Sequence, residues 1–273
     1  MTIPGALAVG ILLAIGPAAS AQTPPAPHPA RKFEVLDNSF LVEEAFNQER
    51  NVVQNIFTWT FARDGEWDAN FTQEWPLWSV THQFSYTIPF ARATERTGIN
   101  DVLLNYRYQL CEEGPGRPAV APRISLVVPT GRVSNGFGDG VAGLQVNVPV
   151  GKQFGDLYLH ANAGWTWHPR IALADRAGRV SLTSPQIAAS GIWRVSPMFN
   201  LMLESVVLFE ESVKDGTHVA DDRIVTISPG FRRGWNIGDR QIVIGAAVPV
   251  SSGTSGQRTA LLTYFSYELP FAK

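Results

Sequence analysis

The stretch WSVTHQFSYTIPF, residues 78–90, decides the fold class. Every second residue in it is apolar: Trp78, Val80, Phe84, Tyr86, Ile88 and Phe90. The residues between them are Ser, Thr, Gln and Pro, and only His82 interrupts the apolar series, which we interpret as a polar exception near neighbouring strands. Because successive side chains of a strand point to opposite faces, the stretch predicts a β-strand with one apolar face and one polar face.

The same alternation recurs from about Val52 to Phe271, in segments of about ten residues separated by clusters of Gly, Pro, Asn, Asp and Ser. Candidate strands begin near Val52, Trp67, Trp78, Ile99, Val120, Val141, Leu157, Ile187, Phe199, Arg223, Gln241 and Thr259. This gives about twelve strands, an even number as in single-chain bacterial barrels, with ten or fourteen as alternatives. After residue 22 no apolar run reaches the roughly 18 residues of a membrane-spanning helix, and only a closed barrel could then cross a bilayer. The predicted fold is all-β: a single up-and-down antiparallel transmembrane β-barrel with a short N-terminal lead-in segment.

Connection lengths and tryptophan positions support this prediction. Connections after odd-numbered strands are mostly long, such as PTGRVSNGFGDG at 129–140, HPRIALADRAGRVSLTSP at 168–185 and ESVKDGTHVADD at 211–222. Those after even-numbered strands are short, such as WPLW, GKQFGD and VSPM. Long outer loops and short periplasmic turns are typical of outer-membrane barrels, and tryptophans favour the membrane interfaces near strand ends.

The N-terminus predicts export. Residues 1–21 combine the apolar run ALAVGILLAIG with the ending Ala19-Ser20-Ala21, as in a signal peptide cleaved before Gln22, although MTIPG carries no positive charge and the start codon could lie upstream. Residues 22–50 are a Pro-rich linker and a short lead-in, and residues 51–273 are the barrel. Within the lead-in, FLVEEAFNQE at 40–49 is either a short amphipathic helix that partly plugs the periplasmic mouth or a solvated segment. The predicted location is the bacterial outer membrane.

Composition excludes several function classes. The net charge of −2 shows no basic excess for binding nucleic acid. The only cysteine, Cys111, excludes an intramolecular disulfide, and the five histidines show no spacing of a catalytic triad or a metal site. The sequence therefore predicts no cofactor and no metal. The expected partners are outer-membrane lipid and lipopolysaccharide, a small-molecule solute, and the barrel-assembly machinery, which recognises terminal strands resembling TALLTYFSYELPFAK at 259–273.

The inward face decides what a narrow barrel does. Alternation places these polar residues inside: Asp68, Asn70, Glu74, Arg107, Arg123, His160, Asn162, Arg194, Glu204 and Glu268. A charge facing the bilayer centre costs roughly 2–4 kcal/mol for Arg or Lys, so the lumen is the cheaper place for it. Two interpretations remain open: the charges line a water-filled passage, or they pair across the lumen and close it.

Two other function classes compete with a channel. The string VSNGFGDG resembles the serine-asparagine-glycine part of an outer-membrane phospholipase motif, but Arg132 stands where that motif has the histidine that activates Ser134. A closed structural or surface barrel is the other class, whose loop residues Arg170, Asp175, Arg176 and Arg179 could meet lipopolysaccharide phosphates. Asp215, Asp221 and Asp222 lack the ordered oxygen spacing of a dedicated calcium site.

Several strings resemble a family of outer-membrane transporters named for the MetA pathway of phenol degradation. They are NSFLVEEAFNQE at Asn38, GINDVLLNYRYQL at Gly98, LVVPTGR at Leu126 and QIVIGAAVPV at Gln241. The resemblance implies an outer-membrane barrel that passes small solutes, aromatic or hydrophobic ones included.

Overall fold

The computed structural model describes residues 34–35, 39–93, 95–173, 178–214 and 218–271. The predicted signal peptide and most of the Pro-rich linker lie outside the described residues. Among the described residues no helix is long and apolar enough to span a membrane.

The described chain forms twelve barrel strands, three of which are each interrupted once. They are β1 (Val52–Ala62), β2 (Trp67–Leu77), β3 (His82–Ala93), β4 (Arg96–Ile99 and Val102–Tyr108), β5 (Ala119–Val120 and Arg123–Val128), β6 (Gly143–Phe154), β7 (Leu157–Ala172), β8 (Arg179–Ser196), β9 (Phe199–Lys214), β10 (His218–Ile237), β11 (Arg240–Ala247 and Val250–Gly253) and β12 (Gly256–Pro270).

Each strand pairs antiparallel with its neighbours in the sequence, and β12 pairs with β1. The closing seam runs from Val52 opposite Pro270 to Ala62 opposite Ala260 without a shift in register. A sheet closed in this way has no free edge, which a bilayer requires because it offers no water to unpaired backbone groups. The predicted all-β, up-and-down barrel of twelve strands is confirmed.

Prolines explain two of the interruptions. Pro122 separates the two parts of β5 and Pro249 those of β11, because proline has no N–H to donate to a neighbouring strand. The break in β4 falls at Asn100 and Asp101, whose side chains instead accept hydrogen bonds from the connection after β5. The ladder resumes beyond each break with the same neighbours.

The barrel has two distinct ends. Asn51 and Phe271, at the two ends of the barrel sequence, are hydrogen-bonded to each other, and we name this end the terminal end and the opposite one the far end. Connections at the terminal end are tight after β6, β8 and β10. The far end carries the 129–142 connection and the long hairpins β7–β8 and β9–β10.

Several predicted boundaries are wrong. Trp78 does not begin the third strand: it lies in a turn with φ of 48° and 86% exposure, and β3 begins at His82. Most of residues 168–185 and 211–222, predicted as loops, continue the strands of the far-end hairpins. Strands β7 to β10 contain 16 to 20 residues, whereas about 9–11 cross a bilayer, so their surplus projects beyond the membrane.

The two faces of the wall have opposite polarity. The outer face exposes large apolar side chains, among them Phe57, Trp59, Leu104, Ile124, Leu126, Leu159, Trp193, Leu203, Ile227, Phe231, Ile244 and Phe265. The inner face buries polar ones, among them Gln83, Ser85, Asn105, Ser125, Asn147, Asn162, Ser190, Asn200, Ser228 and Ser266. This arrangement is that of a barrel surrounded by lipid with a polar lumen.

Candidate functional site in the barrel lumen

The lead-in segment lies inside the barrel. Val35 and residues 42, 44, 45 and 48 are buried, and the segment has no helical turn between residues 39 and 50. The short helix considered from the sequence is therefore wrong for the described residues. We name Ser39–Gln48 the plug.

The described residues before and after the plug both lie at the terminal end. The Glu34 carbonyl accepts a hydrogen bond from Gln241 there, and Val35 packs in a cluster with Val243. At the deepest point Phe40 packs on Tyr264 with ring centroids 4.9 Å apart. The chain then returns to the terminal end, where β1 begins at Val52.

Side chains of the wall satisfy the plug's backbone, because its extended form leaves the polar groups of its backbone to find partners elsewhere. Glu204 accepts from the backbone N–H groups of Leu41 and Val42 at 2.8 and 3.1 Å. Asn162 brackets Glu43, accepting from its N–H at 2.8 Å and donating to its carbonyl at 2.9 Å.

The same pattern continues along the returning half of the plug. Gln109 accepts from the Asn47 N–H and donates to the Ala45 carbonyl at 3.1 and 2.9 Å. The Gln48 N–H donates to Gln83 at 2.6 Å. A helix would satisfy these groups internally, so the wall replaces the helix as the partner of the backbone.

Two arginines of the wall hold the Glu43 carboxylate. Arg123 donates from Nε at 2.9 and 3.0 Å and from Nη2 at 2.6 Å, and Arg107 donates from Nη2 at 2.9 Å. Arg123 also donates to Asn105 and Gln145, which fixes the plane of its guanidinium. Burial opposes ionisation of Glu43, but Arg123 and Arg107 outweigh it and lower its pKa to about 2. Glu43 is therefore ionised at neutral pH.

The neighbouring Glu44 forms a second anchor on the opposite side of the plug. Arg232, which is fully buried, donates to Glu44 Oε1 at 2.9 Å and to the Val35 carbonyl at 3.3 Å. Ser39 donates to the same Glu44 oxygen at 3.2 Å, and His160 Nε2 lies 3.7 Å from the other. Adjacent residues of an extended chain point in opposite directions, which is why Glu43 and Glu44 reach opposite walls.

Among the described residues, three cavities lie beside the plug, and residues of β1 and β2 contribute to the lining of each. The first, of about 650 Å³, opens at the far end and has Phe40, Leu41, Thr58, Asp68 and Asn70 among its lining residues. The second, of about 220 Å³, lies beside the Glu43 carboxylate and shares Phe40, Thr58 and Asn70 with the first.

The third cavity, of about 140 Å³, lies at the terminal end and is lined by Gln48, Gln54, Glu74 and Glu268. It shares Glu74 with the second. The three cavities thus follow one another along one side of the plug from end to end.

The structure separates the sequence-predicted lumen residues into three groups. Those that contact the plug are Arg107, Arg123, His160, Asn162 and Glu204. Those that line the cavities include Asp68, Asn70, Glu74 and Glu268. Arg194 pairs with Asp156 in the turn after β6 at the terminal end.

The sequence predicted residues of the wall in this site but not the carboxylates of the plug that bind them. The proposal that wall charges pair with one another overlooked Glu43 and Glu44, which bind Arg107, Arg123 and Arg232. Arg232 was detectable, because it continues the polar series Thr226, Ser228 and Gly230 on alternate residues of β10.

The residues of the enzyme alternative are not assembled. Ser134 is exposed in a short 3₁₀ turn, and its carbonyl accepts from Arg96. In the ranges that the structure describes, no histidine is hydrogen-bonded to its hydroxyl, and no group of three metal-ligating side chains occurs. Asp175, Arg176 and Asp215 lie outside the described residues.

Fold and lumen together define the class of an outer-membrane β-barrel. The chain is similar to the crystal structure of an outer membrane channel from Pseudomonas putida F1, with a TM-score of 0.63 and 12% identity over 81% of this chain and 95% of that one. It is also similar to the NanC porin, with a TM-score of 0.53 and 8% identity over 79% of this chain and all of that one. At such identities the likeness shows the fold. No protein-family model matches the chain, and neither does any curated protein.

Proposed function

We propose that the protein is an outer-membrane channel for small solutes whose lumen the plug narrows at rest. One observation carries the proposal: three successive cavities run past the plug from the far end to the terminal end. The solved structures of similar fold are an outer membrane channel and a porin, which favours the same class. In this proposal the terminal end faces the periplasm, because both ends of the barrel sequence lie there and the longest hairpins, β7–β8 and β9–β10, project from the far end.

The solute class proposed is small molecules with an apolar part, aromatic ones included, in agreement with the resemblance to the MetA-pathway transporters. The floor of the far-end cavity carries Phe40 and Leu41, and its sides carry Leu262 beside Asp68 and Asn70. A site that combines apolar walls with a few polar groups is typical of small-molecule binding.

The second candidate is a permanently closed structural barrel. It is favoured by the number of plug groups that are buried and hydrogen-bonded, because each must be released before the lumen widens. The two candidates differ in whether the plug ever leaves its partners.

Single-channel recording of the refolded mature protein in a planar bilayer tests the proposal. A channel is expected to show steady conductance that small aromatic solutes, added on one side, reduce. A variant without the plug should conduct more than the mature protein. A folded barrel that stays silent in both forms would overturn the proposal and favour the structural barrel.

A further inference from the structure

We infer that Glu43 occupies a binding site for a solute carboxylate, so that the plug competes with the solute for the same arginines. The inference rests on the proposed function and names the solute class: small monocarboxylates with an apolar body. The side-chain carboxylate of a protein and the carboxylate of a solute are the same chemical group. The arginines that bind Glu43 could therefore bind a solute carboxylate in its place.

The arginine site is built by the wall and not by the plug. Asn105 and Gln145 orient Arg123. Arg123 contacts the Glu43 carboxylate through the edge of its guanidinium that bears Nε and Nη2. A guanidinium edge of this kind forms two parallel hydrogen bonds to a carboxylate, which favours that group over a neutral one. Arg107 adds a second donor from the adjacent strand. If Glu43 leaves, Arg123 is still held by Asn105 and Gln145 and needs an anion, because it is largely buried. Arg107 keeps its hydrogen bond to the Phe46 carbonyl of the plug at 3.0 Å.

The adjoining cavity gives the solute its apolar part. It lies against Glu43, Arg107 and Arg123, and Phe40, Ile56, Leu103 and Tyr264 also line it. Its volume of about 220 Å³ is below the roughly 300–1,000 Å³ of sites for drug-sized ligands, so only a small molecule fits. The larger far-end cavity is its neighbour, because Phe40, Thr58 and Asn70 line both, and it lies on the side from which a solute would approach.

Competition between the solute and Glu43 couples binding of the solute to opening of the lumen. Glu43 is held by its chain close to the arginines, and a tethered group competes at an effective concentration in the millimolar range. A solute that displaces it takes two arginines away from the tip of the plug while Arg232 still holds Glu44. The solute would thus weaken the attachment of the plug to the wall on the side where the three cavities lie.

The experiment is a ¹⁹F NMR titration of the refolded mature protein in detergent micelles at pH 7. The probe is 4-fluorobenzoate, and the neutral probe 4-fluorobenzamide reports partition into micelles and apolar walls. The mature protein is expected to bind 4-fluorobenzoate saturably, and Glu43→Gln about tenfold more tightly because the tethered competitor is gone. Glu49→Gln is the matched control: it makes the same change at an exposed residue of the same lead-in segment and should bind as the mature protein does.

The arginines are tested in the Glu43→Gln background. Adding Arg123→Gln should abolish the gain in 4-fluorobenzoate binding and leave 4-fluorobenzamide unchanged, and Arg123→Lys should reduce the gain because lysine cannot form the two parallel bonds. Acetate should displace the probe more weakly than benzoate does, because it lacks the apolar body. Heat-dependent electrophoretic mobility verifies that each variant has folded.

Equal 4-fluorobenzoate affinity with and without Glu43, or a gain that survives Arg123→Gln, would overturn the inference. The inference would also be overturned if the affinities of the variants for the neutral 4-fluorobenzamide followed the same order as their affinities for 4-fluorobenzoate. The titration needs no membrane, so its outcome is separate from that of the proposed function. If the barrel conducts but does not bind the probe, the carboxylate site is overturned and the channel function stands. If the barrel binds the probe but never conducts, the channel function is overturned.

Discussion

Arg123 holds Glu43 through the edge of its guanidinium, with Nε and Nη2 both donating to the carboxylate at 2.6–3.0 Å. The two residues are 80 positions apart in the sequence and belong to different parts of the molecule, the wall and the plug. This contact fixes the tip of the plug in the middle of the lumen. In the proposed channel the position of the plug therefore depends on this ion pair, which is not part of the strand pairing of the barrel.

Deleting the plug should open the lumen. A variant lacking residues 22–48 is expected to refold, because β1 and β12 close the barrel without the plug, and to conduct several-fold more than the mature protein in a planar bilayer. A variant lacking only residues 22–33 is the control and should conduct as the mature protein does. Equal conductance of all three would mean that the plug does not limit the flow of ions.

Neutralising either member of the Arg123–Glu43 pair should change ion selectivity, in opposite directions. Arg123→Gln leaves the Glu43 charge less compensated and should shift the reversal potential in a salt gradient toward cation preference. Glu43→Gln leaves Arg107 and Arg123 without their carboxylate and should shift it toward anion preference. Shifts of the same sign, or none in a conducting barrel, would show that ions do not pass this pair.

The buried pair of Arg232 and Glu44 should matter for stability far more than the exposed Arg258. Arg232→Gln leaves a buried carboxylate without its cation and should lower the free energy of unfolding by about 3–5 kcal/mol. Arg258 is half exposed in its pairs with Asp64 and Glu66, so Arg258→Gln should cost at most about 1 kcal/mol. Denaturant unfolding in lipid vesicles, followed by tryptophan fluorescence, measures both.

The double variant completes this test. If the cost of Arg232→Gln comes from the stranded carboxylate, adding Glu44→Gln should restore part of the stability, so the two changes should not add. Additive losses would instead assign the cost to packing around the arginine.

Gly98 should control the fold of the 129–142 connection at the far end. Phe137 of that connection is buried against Gly98, and a Cβ at residue 98 would lie 2.5 Å from its ring. Gly98→Ala should displace Phe137 and speed tryptic cleavage after Arg132. Gly116→Ala, where a Cβ meets no atom within 4 Å, is the control and should leave the cleavage rate unchanged.

The wall of the barrel could be predicted because each strand carries its own evidence. In WSVTHQFSYTIPF the alternation that places Phe84 and Tyr86 outside and Ser85 inside is a property of adjacent residues, and the structure keeps it. Errors were confined to strand ends, as at Trp78, where a turn conformation with positive φ stops a strand whose alternation continues in the sequence.

The contents of the lumen could not be predicted in the same way. The sequence of the plug shows no regular repeat of apolar and polar residues, because side chains from distant strands bind its backbone. These side chains are Gln83 of β3, Asn162 of β7 and Glu204 of β9. Such partners are polar residues that the pattern places inside, but the pattern does not say what they bind. In a short helix, one of the two interpretations of residues 40–49, Glu43 and Glu44 would form the polar side, whereas their separation onto opposite walls needs an extended chain.

The path of the plug also bears on how the molecule is assembled. In the part of the chain that the structure describes, Glu34 before the plug and Val52 after it both lie at the end where Asn51 and Phe271 meet, so this part is not threaded through the ring of strands from one end to the other. The barrel can therefore close in the bilayer first and take in its own N-terminal segment afterwards, without reopening the seam between Val52 and Pro270. Insertion into the membrane and sealing of the lumen are thus two separable events, and a transiently open barrel is an expected stage between them.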